Sequence, residues 1–510
     1  MSGIKNGKKG AQFCHNAIPV IGTTVPAYDV TAVSQCICDN NCNKRKGEDQ
    51  MKTWNQLFVR HGWLVNQKEE NVFDCRQETD INKQFLLESL DKAEVRYHYD
   101  EKTLVMHSQP IEEEKWISIL DFQHRGHGGD LWFRPGQEEP KVRELDTYIS
   151  GIVRQLNRLG FYTNGSCDGH GRNAAYVSIT KEKDLEQLVQ LFLALGMKRV
   201  HYRENTRSYV ISFPLKRVEL LDLVEKMSVV EEEWLGKGLE YMKEQLFYMQ
   251  LEELLSIQGE SGNEGRIRNV VKEKLAPYVD FITVDRHGNL LAEKTYKTGN
   301  GPTILLNAHL DTVEAFVENR NIVKEDGIWS SSEGILGADD RAGVAVLLTL
   351  AETLHHKSTF SGKIKFVFTI EEEIGLMGAK KVDEYFLWGT DAAIVVDRRG
   401  TGDIVTSCGG FIPFCDEAYG EFIEKVAKEL GLAGWQCTQG GSSDTRIWAQ
   451  HGIQSVNLSA GYNYEHTDAE YLDIRACYGT VQLIQAVLGK SQELRQVLNG
   501  IKRKRMVQVS

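Results

Sequence analysis

Four short runs in the second half of the chain, Thr303–Ala308, Lys365–Ile370, Ala392–Val396 and Ser455–Ser459, are almost continuously apolar, without the alternation of a half-buried strand. A strand apolar on both sides needs cover on both faces, and that condition selects helices above and below a largely parallel sheet. The intervening segments supply them. Ala342–Leu354 reads as a buried helix and Glu421–Leu430 as an amphipathic one. Phe281–Val284 and Leu290–Glu293, joined by Arg286-His287-Gly288-Asn289, add a hairpin. Ser261-Gly262-Asn263-Glu264 matches a capping box ahead of a helix carrying Ile267, Val270, Val271 and Leu275. The expected fold of residues 241–492 is thus α/β: a mixed, largely parallel sheet with helices on both faces.

A chain of 510 residues exceeds what one core organises, so a further domain is expected. Residues 51–240 read as a smaller, accessory α+β domain. Val95–Tyr99 and Leu104–His107 form a hairpin, and from Ile149 the order helix-strand-strand occurs twice. The first set is Ile149–Leu159, Phe161–Thr163 and Ala175–Ile179; the second is Leu185–Leu195, Arg199–Arg203 and Tyr209–Phe213. Between the first two strands runs a glycine-rich loop from Asn164 to Gly171 that carries Cys167, Asp168 and His170. It has two readings, a small site or a tight turn, and so has the stretch from His124 to Gly129. Breaks at Gly236 and Gly238 place a boundary near residue 240.

The two ends read as extensions. Residues 1–50 are expected to be a disordered N-terminal extension, in which Cys14, Cys36, Cys38 and Cys42 are too irregularly spaced for a zinc knuckle. Residues 493–510 read as a basic tail, with its charge at Lys502–Arg505. A formal charge of -12 argues against general affinity for nucleic acid or anionic membrane. No apolar stretch approaches the roughly 20 residues of a membrane span, and none resembles a signal peptide. A cytoplasmic protein with free thiols is the expectation.

Ligands of open α/β sheets bind at the carboxyl ends of strands. His309 and Asp311 follow the first apolar run, Glu371, Glu372 and Glu373 the second, and Asp397 the third. Asp339 and Asp340 precede the buried helix, and His466 lies beyond the last strand. Any one of these residues has an ordinary explanation as a helix cap or a solvated side chain. Two imidazoles and at least three carboxylates at five separate chain positions are instead the donor set of two borderline-hard divalent ions, zinc being typical.

The segments Ala308-His309-Leu310-Asp311-Thr312-Val313, Gly337-Ala338-Asp339-Asp340-Arg341-Ala342-Gly343, Glu372-Glu373-Ile374-Gly375-Leu376-Met377-Gly378-Ala379, Val396-Asp397 and Glu465-His466-Thr467 occur in that order. Together they resemble the dinuclear zinc aminopeptidases and carboxypeptidases of the tripeptidase T, glutamyl aminopeptidase and bacterial leucyl aminopeptidase kind, over about residues 245–490. The resemblance implies two divalent ions, zinc first and cobalt or manganese as alternatives. It implies that Asp339 bridges them, that His309 and Asp397 complete one site, and that Glu373 and His466 complete the other. In relatives the ligand stands two residues before the glycine and the base just before the ligand. This leaves Glu372 as general base toward a metal-bridging water. Asp311, two residues along an extended chain from His309, would orient that imidazole.

The implied activity is peptide hydrolysis. His309 to Asp339 and Asp397 to His466 are too close in sequence to hold the inserted lid domain of many relatives. Losing it removes the groups that hold a substrate's terminal carboxylate, which favours an aminopeptidase on short peptides. A carboxypeptidase or an N-acyl amino acid amidohydrolase is the alternative, and Arg398 and Arg399 are the cations that could serve one. An inactive binding protein is a third reading. The expected partner is a peptide substrate, with an oligomer possible; the accessory domain would cover the site or mediate assembly in place of the missing insertion.

Overall fold

The computed structural model describes residues 51–126 and 135–509. The expectations for residues 1–50 and their four cysteines, and for residues 127–129, lie outside the described residues.

Among the described residues the second half builds a nine-stranded sheet. Its order is Ile412–Pro413, Asp403–Cys408, Gln454–Ser459, Ala392–Arg398, Thr303–His309, Gly362–Thr369, Leu290–Tyr296 and Phe281–Val284, with Gln436–Gly440 beside Asp403–Cys408. The four central strands are parallel, and antiparallel pairs flank them on either side. The apolar runs explain this arrangement residue by residue. Ile304, Leu306, Phe366, Phe368, Ile394 and Val396 face one core, packed by the Ala338–His356 and Ile474–Gly489 helices. Leu305, Val367, Ala393 and Val395 face the other, against Ile447 and Trp448 of the Asp444–Gln450 helix. Period-2 side chains that are apolar on both faces thus leave no solvated side. Each fully buried leucine here contributes about 2–5 kcal/mol when judged by truncation to alanine.

Parallel strands end together. His309, Thr369 and Arg398 come to one edge, where Ile322–Glu325, Ile328–Ser331, Tyr471–Asp473 and Tyr462–Asn463 form a small second sheet. No helix among the described residues is long and apolar enough to cross a membrane.

The C-terminal segment is a helix, Ser491–Val509, not a tail. Leu494, Leu498 and Ile501 recur at helical spacing and are buried in the main core. Of the basic run, Lys502 pairs with Asp391 and Lys504 with Asp416.

Among the described residues the accessory region holds two cores. One lies between Trp54 and Leu120, joined by Val142, and is built on Trp54, Trp63 and Trp116, with Phe58 and Phe73 ring against ring. The second core joins Val59 to residues from Leu145 to Met242 beneath an antiparallel sheet ordered Thr163–Cys167, Ala175–Thr180, Ser208–Phe213, His201–Glu204. The helix-strand-strand unit is therefore present twice, its second strands paired at the centre. The glycine-rich segment is only partly a loop, because Thr163–Cys167 is paired as a strand with Ala175–Thr180.

A boundary near residue 240 falls at the start of the Leu239–Leu255 helix, which serves both sides. Met242 belongs to the accessory core, while Phe247, Leu251 and Leu254 belong to the main one. A further contact joins Lys226 to Glu352, with Lys226 Nζ also 3.3 Å from the Tyr278 hydroxyl. Glu352 lies on the Ala338–His356 helix, thirteen residues beyond Asp339. At 1.5 Å per residue that places this contact about 20 Å along the axis from Asp339.

Candidate metal centre

Each side chain of the cluster is delivered by a strand end, the turn after one, or the start of a helix. His309 closes the Thr303–His309 strand, Asp397 lies near the end of Ala392–Arg398, and Asp339 opens the Ala338–His356 helix. That helix reaches the strand because residue 343 is glycine: a Cβ there would lie 2.1 Å from the Val396 carbonyl oxygen and 2.4 Å from Asp340 Oδ1. Glu371 and His466 adopt left-handed backbone, φ 53° and 63°, a conformation non-glycine residues hold mainly at sites that require it.

The structure brings His309, Asp339, Glu373, Asp397 and His466 together. Asp339 stands at the centre, with Oδ1 3.2 Å from His309 Nε2 and Oδ2 3.1 Å from His466 Nε2. His309 Nε2 is 3.7 Å from Asp397 Oδ1, and His466 Nε2 is 2.9 Å from the Glu373 carboxylate. One carboxylate thus faces two histidine–acid pairs. Donor atoms of His309, Asp339 and Glu373 lie within 4.8 Å of one another, as do those of His309, Asp340 and Asp397.

Asp311 links the parts. Its main-chain oxygen is 3.0 Å from His309 Nδ1 and its Oδ1 3.3 Å away. The amides of Glu372 and Glu373 donate to Asp311 Oδ1 and Oδ2 at 3.0 and 3.1 Å. A buried carboxylate accepting two adjacent amides fixes the turn that carries both glutamates. Ser261 Oγ donates to the same carboxylate at 2.7 Å, so it does not cap a helix. Glu264, the other half of the expected capping box, accepts from the amides of Gly262 and Glu371, and the helix begins at Gly265. Of the three consecutive glutamates, Glu371 turns away to His287, 3.0 Å distant.

Other supports were not among the expected residues. Tyr462 donates its hydroxyl to Asp397 Oδ1 at 3.0 Å, and Asn457 Oδ1 accepts from the Asp397 amide at 2.9 Å. Glu470 accepts from the amides of Gly337 and Asp339 at 2.7 and 3.1 Å, holding the turn that presents Asp339. Its position four residues after His466 was the only local signal. Asp340 is spent on the backbone, accepting from the amides of His309 and Gly343. Asp444, fully buried, accepts from Thr369 Oγ1 at 2.5 Å.

The electrostatics of the group suit a cation. Burial, reinforced by Asp339 and Glu372, pushes the Asp397 carboxyl well above its usual range. Burial, then Asp444 and Glu373, raises Glu372 to about 8. Asp339 and Glu373 hold His466 up at about 10. Among the described residues no lysine or arginine forms an ion pair with Asp339, Glu373 or Asp397, whose charged partners are histidines. Buried carboxylates without cationic side chains are stable when a metal ion supplies the charge, which also reverses each of these shifts. Two Nε2 atoms and three carboxylates fit that role in number, donor type and spacing.

Arg398 and Arg399 are already engaged. Arg398 Nε donates to Asp403 Oδ2 at 2.9 Å, and Arg399 Nη2 lies 2.6 Å from Glu465 Oε1.

Residues 289–489 match the model of Peptidase family M28. An uncharacterised protein of Bacillus subtilis, YqjE, is 32% identical over 356 residues, covering 46% of this chain and 95% of that one. Peptidase T of Halothermothrix orenii is 32% identical over 139 residues, 25% of this chain and 33% of its own. Among solved structures, aminopeptidase PepT from Bacillus cereus overlays with a TM-score of 0.44 and 20% identity, over 49% of this chain and 99% of that one.

Proposed function

The chain belongs to peptidase family M28, and we propose that it is a metal-dependent aminopeptidase acting on short peptides. His309 and Asp397 would hold one divalent ion, Glu373 and His466 a second, with Asp339 shared, zinc being the first expectation for such donors. Ions bound there would polarise the scissile carbonyl and make a water nucleophilic at neutral pH.

The remaining work falls to side chains of this chain. Glu372 is the general base: its carboxylate takes a proton from the attacking water and delivers it to the departing amine. Asp311 holds the Glu372 and Glu373 amides and the Nδ1 side of His309, so base and ligands keep one geometry. Tyr462 and Glu470 do the same for Asp397 and Asp339.

The observation that carries the reading is the Asp339 carboxylate set between two imidazoles, 3.2 and 3.1 Å from their Nε2 atoms. Preference for a free amino terminus is supported by charge. A carboxypeptidase needs a cation for the substrate's terminal carboxylate, and Arg398 and Arg399, the arginines beside Asp397, are paired with acids. The test is hydrolysis of amino-acid anilides, N-blocked peptides and N-acyl amino acids, with chelator and with added zinc, cobalt or manganese. Cleavage of free-amine substrates alone is expected. Cleavage confined to blocked substrates would reject the aminopeptidase reading and select the carboxypeptidase or amidohydrolase.

A further inference from the structure

A second group of metal-type donors lies in the accessory region, apart from the peptidase centre. The Thr163–Cys167 strand ends in Cys167, the next residue caps a tight turn, and that turn returns His170 toward the strand. Asp168 Oδ1 accepts from the His170 amide at 2.9 Å, and Gly169, at φ 76°, lies so close to Ala174 and Ala175 that a Cβ would stand 3.2 Å from their backbone. The fourth donor comes from a different element. Asp146 precedes the Ser150–Arg158 helix, and its Oδ2 accepts from the Asp168 amide at 3.0 Å.

Donor atoms of Asp146, Cys167, Asp168 and His170 all lie within 4.8 Å of one another. The Asp146 and Asp168 side chains are 6% and 0% exposed, and that of His170 is 49% exposed, so the group has a buried floor and an open mouth. His170 Nε2 is 4.0 Å from Asp146 Oδ2 and its Nδ1 3.4 Å from Asp168 Oδ1. Arg217, stacked 4.0 Å over the Tyr148 ring, holds Asp168 Oδ2 and leaves Oδ1 facing the imidazole. The Gly169 amide points at Cys167 Sγ from 3.4 Å, the arrangement that favours a thiolate.

We propose that Asp146, Cys167, Asp168 and His170 bind a single divalent transition-metal ion of the zinc class. One sulfur, one imidazole nitrogen and two carboxylates are a four-donor set of borderline softness, which selects zinc, cobalt or iron over magnesium or calcium. A Cys-His nucleophile is the competing use of the same residues. Both ring nitrogens of His170 face carboxylates, Nδ1 toward Asp168 and Nε2 toward Asp146, and two acids crowd the sulfur, surroundings that suit a cation rather than a free nucleophile. Three donors within Cys167–His170 and one from Asp146 would clamp the end of a strand to the entry of a helix, a structural site for the second accessory core.

The test uses the full chain, stripped with chelator and refilled with cobalt(II). Sulfur ligation gives a thiolate-to-cobalt charge-transfer band that the nitrogen and oxygen donors of the peptidase centre cannot produce. The band is expected in the parent protein and in Cys42→Ser, and it is lost in Cys167→Ser together with one bound ion per chain, aminopeptidase activity being retained. Asp146→Asn should weaken cobalt binding at this site by about 10–100-fold. A band unchanged in Cys167→Ser, or no loss of an ion, overturns the proposal. Should that variant not fold, alkylation of the parent protein mapped by mass spectrometry decides: zinc is expected to slow labelling of Cys167 about tenfold or more, and equal labelling with and without zinc contradicts the site.

Discussion

The two regions of this molecule neutralise buried carboxylates in different ways. In the accessory region, outside the Asp146–His170 cluster, arginine does it. Arg60, 1% exposed, pairs with the largely buried Glu113, and Arg154, equally buried, pairs with Glu78. In the peptidase region, among the described residues, Asp311, Asp339, Asp340, Asp444 and Glu470 are buried and none forms an ion pair with lysine or arginine. A buried guanidinium makes an acid structural by consuming its lone pairs in fixed geometry. Histidines, hydroxyls and backbone amides orient the acids without supplying a permanent positive charge. The difference sets the arginine-tied acids of the accessory region apart from the acids around the proposed peptidase centre.

The comparison is tested most severely by removing the base. Glu372→Gln should lower kcat by about 10²–10⁴-fold while metal content stays at the parent level, as read by steady-state kinetics and elemental analysis. Substantial activity in that variant breaks the proposed division between base and ligands. On the scaffold side, Arg154→Met strands the fully buried Glu78 and should destabilise the accessory region by about 3–5 kcal/mol in chemical denaturation. If activity fell and stability did not, the scaffold assignment would fail. Asp311→Asn keeps the volume but weakens the grip on two amides and His309; metal affinity or activity is expected to drop about 10–100-fold.

The smallest effect is a pH dependence confined to the accessory side. Burial lowers the pKa of His61 below 6.5, so the unfolded chain binds a proton the folded one refuses. Its contribution is present above pH 6.5 and declines as pH falls from there toward the lowered value. Glu113, held at about 2 against burial by His61 and Arg60, acts in the same sense from pH 4.5 downward. Unfolding midpoints measured from pH 7 to 4 should therefore decrease with acid. A midpoint constant across this range would show that His61 titrates as in the unfolded chain.

Much of the peptidase half could be read from the sequence because its signal is local. An apolar run such as Thr303–Ala308 ends in His309, and strand ends share an edge in any parallel sheet. What escaped was decided by distant partners. Ser261 and Glu264 have the spacing of a capping box, but Asp311 and the Glu371 amide take their side chains. Tyr462 is 65 residues from the Asp397 it contacts, and nothing in the local pattern marks it. The C-terminal helix was obscured by the charge of Lys502–Arg505, although Leu494, Leu498 and Ile501 carry the helical period. The two accessory cores were also beyond reach, since Trp54, Trp63 and Trp116 meet only through tertiary packing.

Metal stoichiometry of Asp339→Ala against the parent chain, both stripped and then titrated with zinc, addresses the central claim. If one carboxylate serves two neighbouring ions, the substitution removes about two equivalents of tight binding together with all aminopeptidase activity. An Asp339→Ala protein that stays folded and binds zinc as the parent does would contradict the shared centre, and with it the reading of His309, Glu373, Asp397 and His466 as ligands.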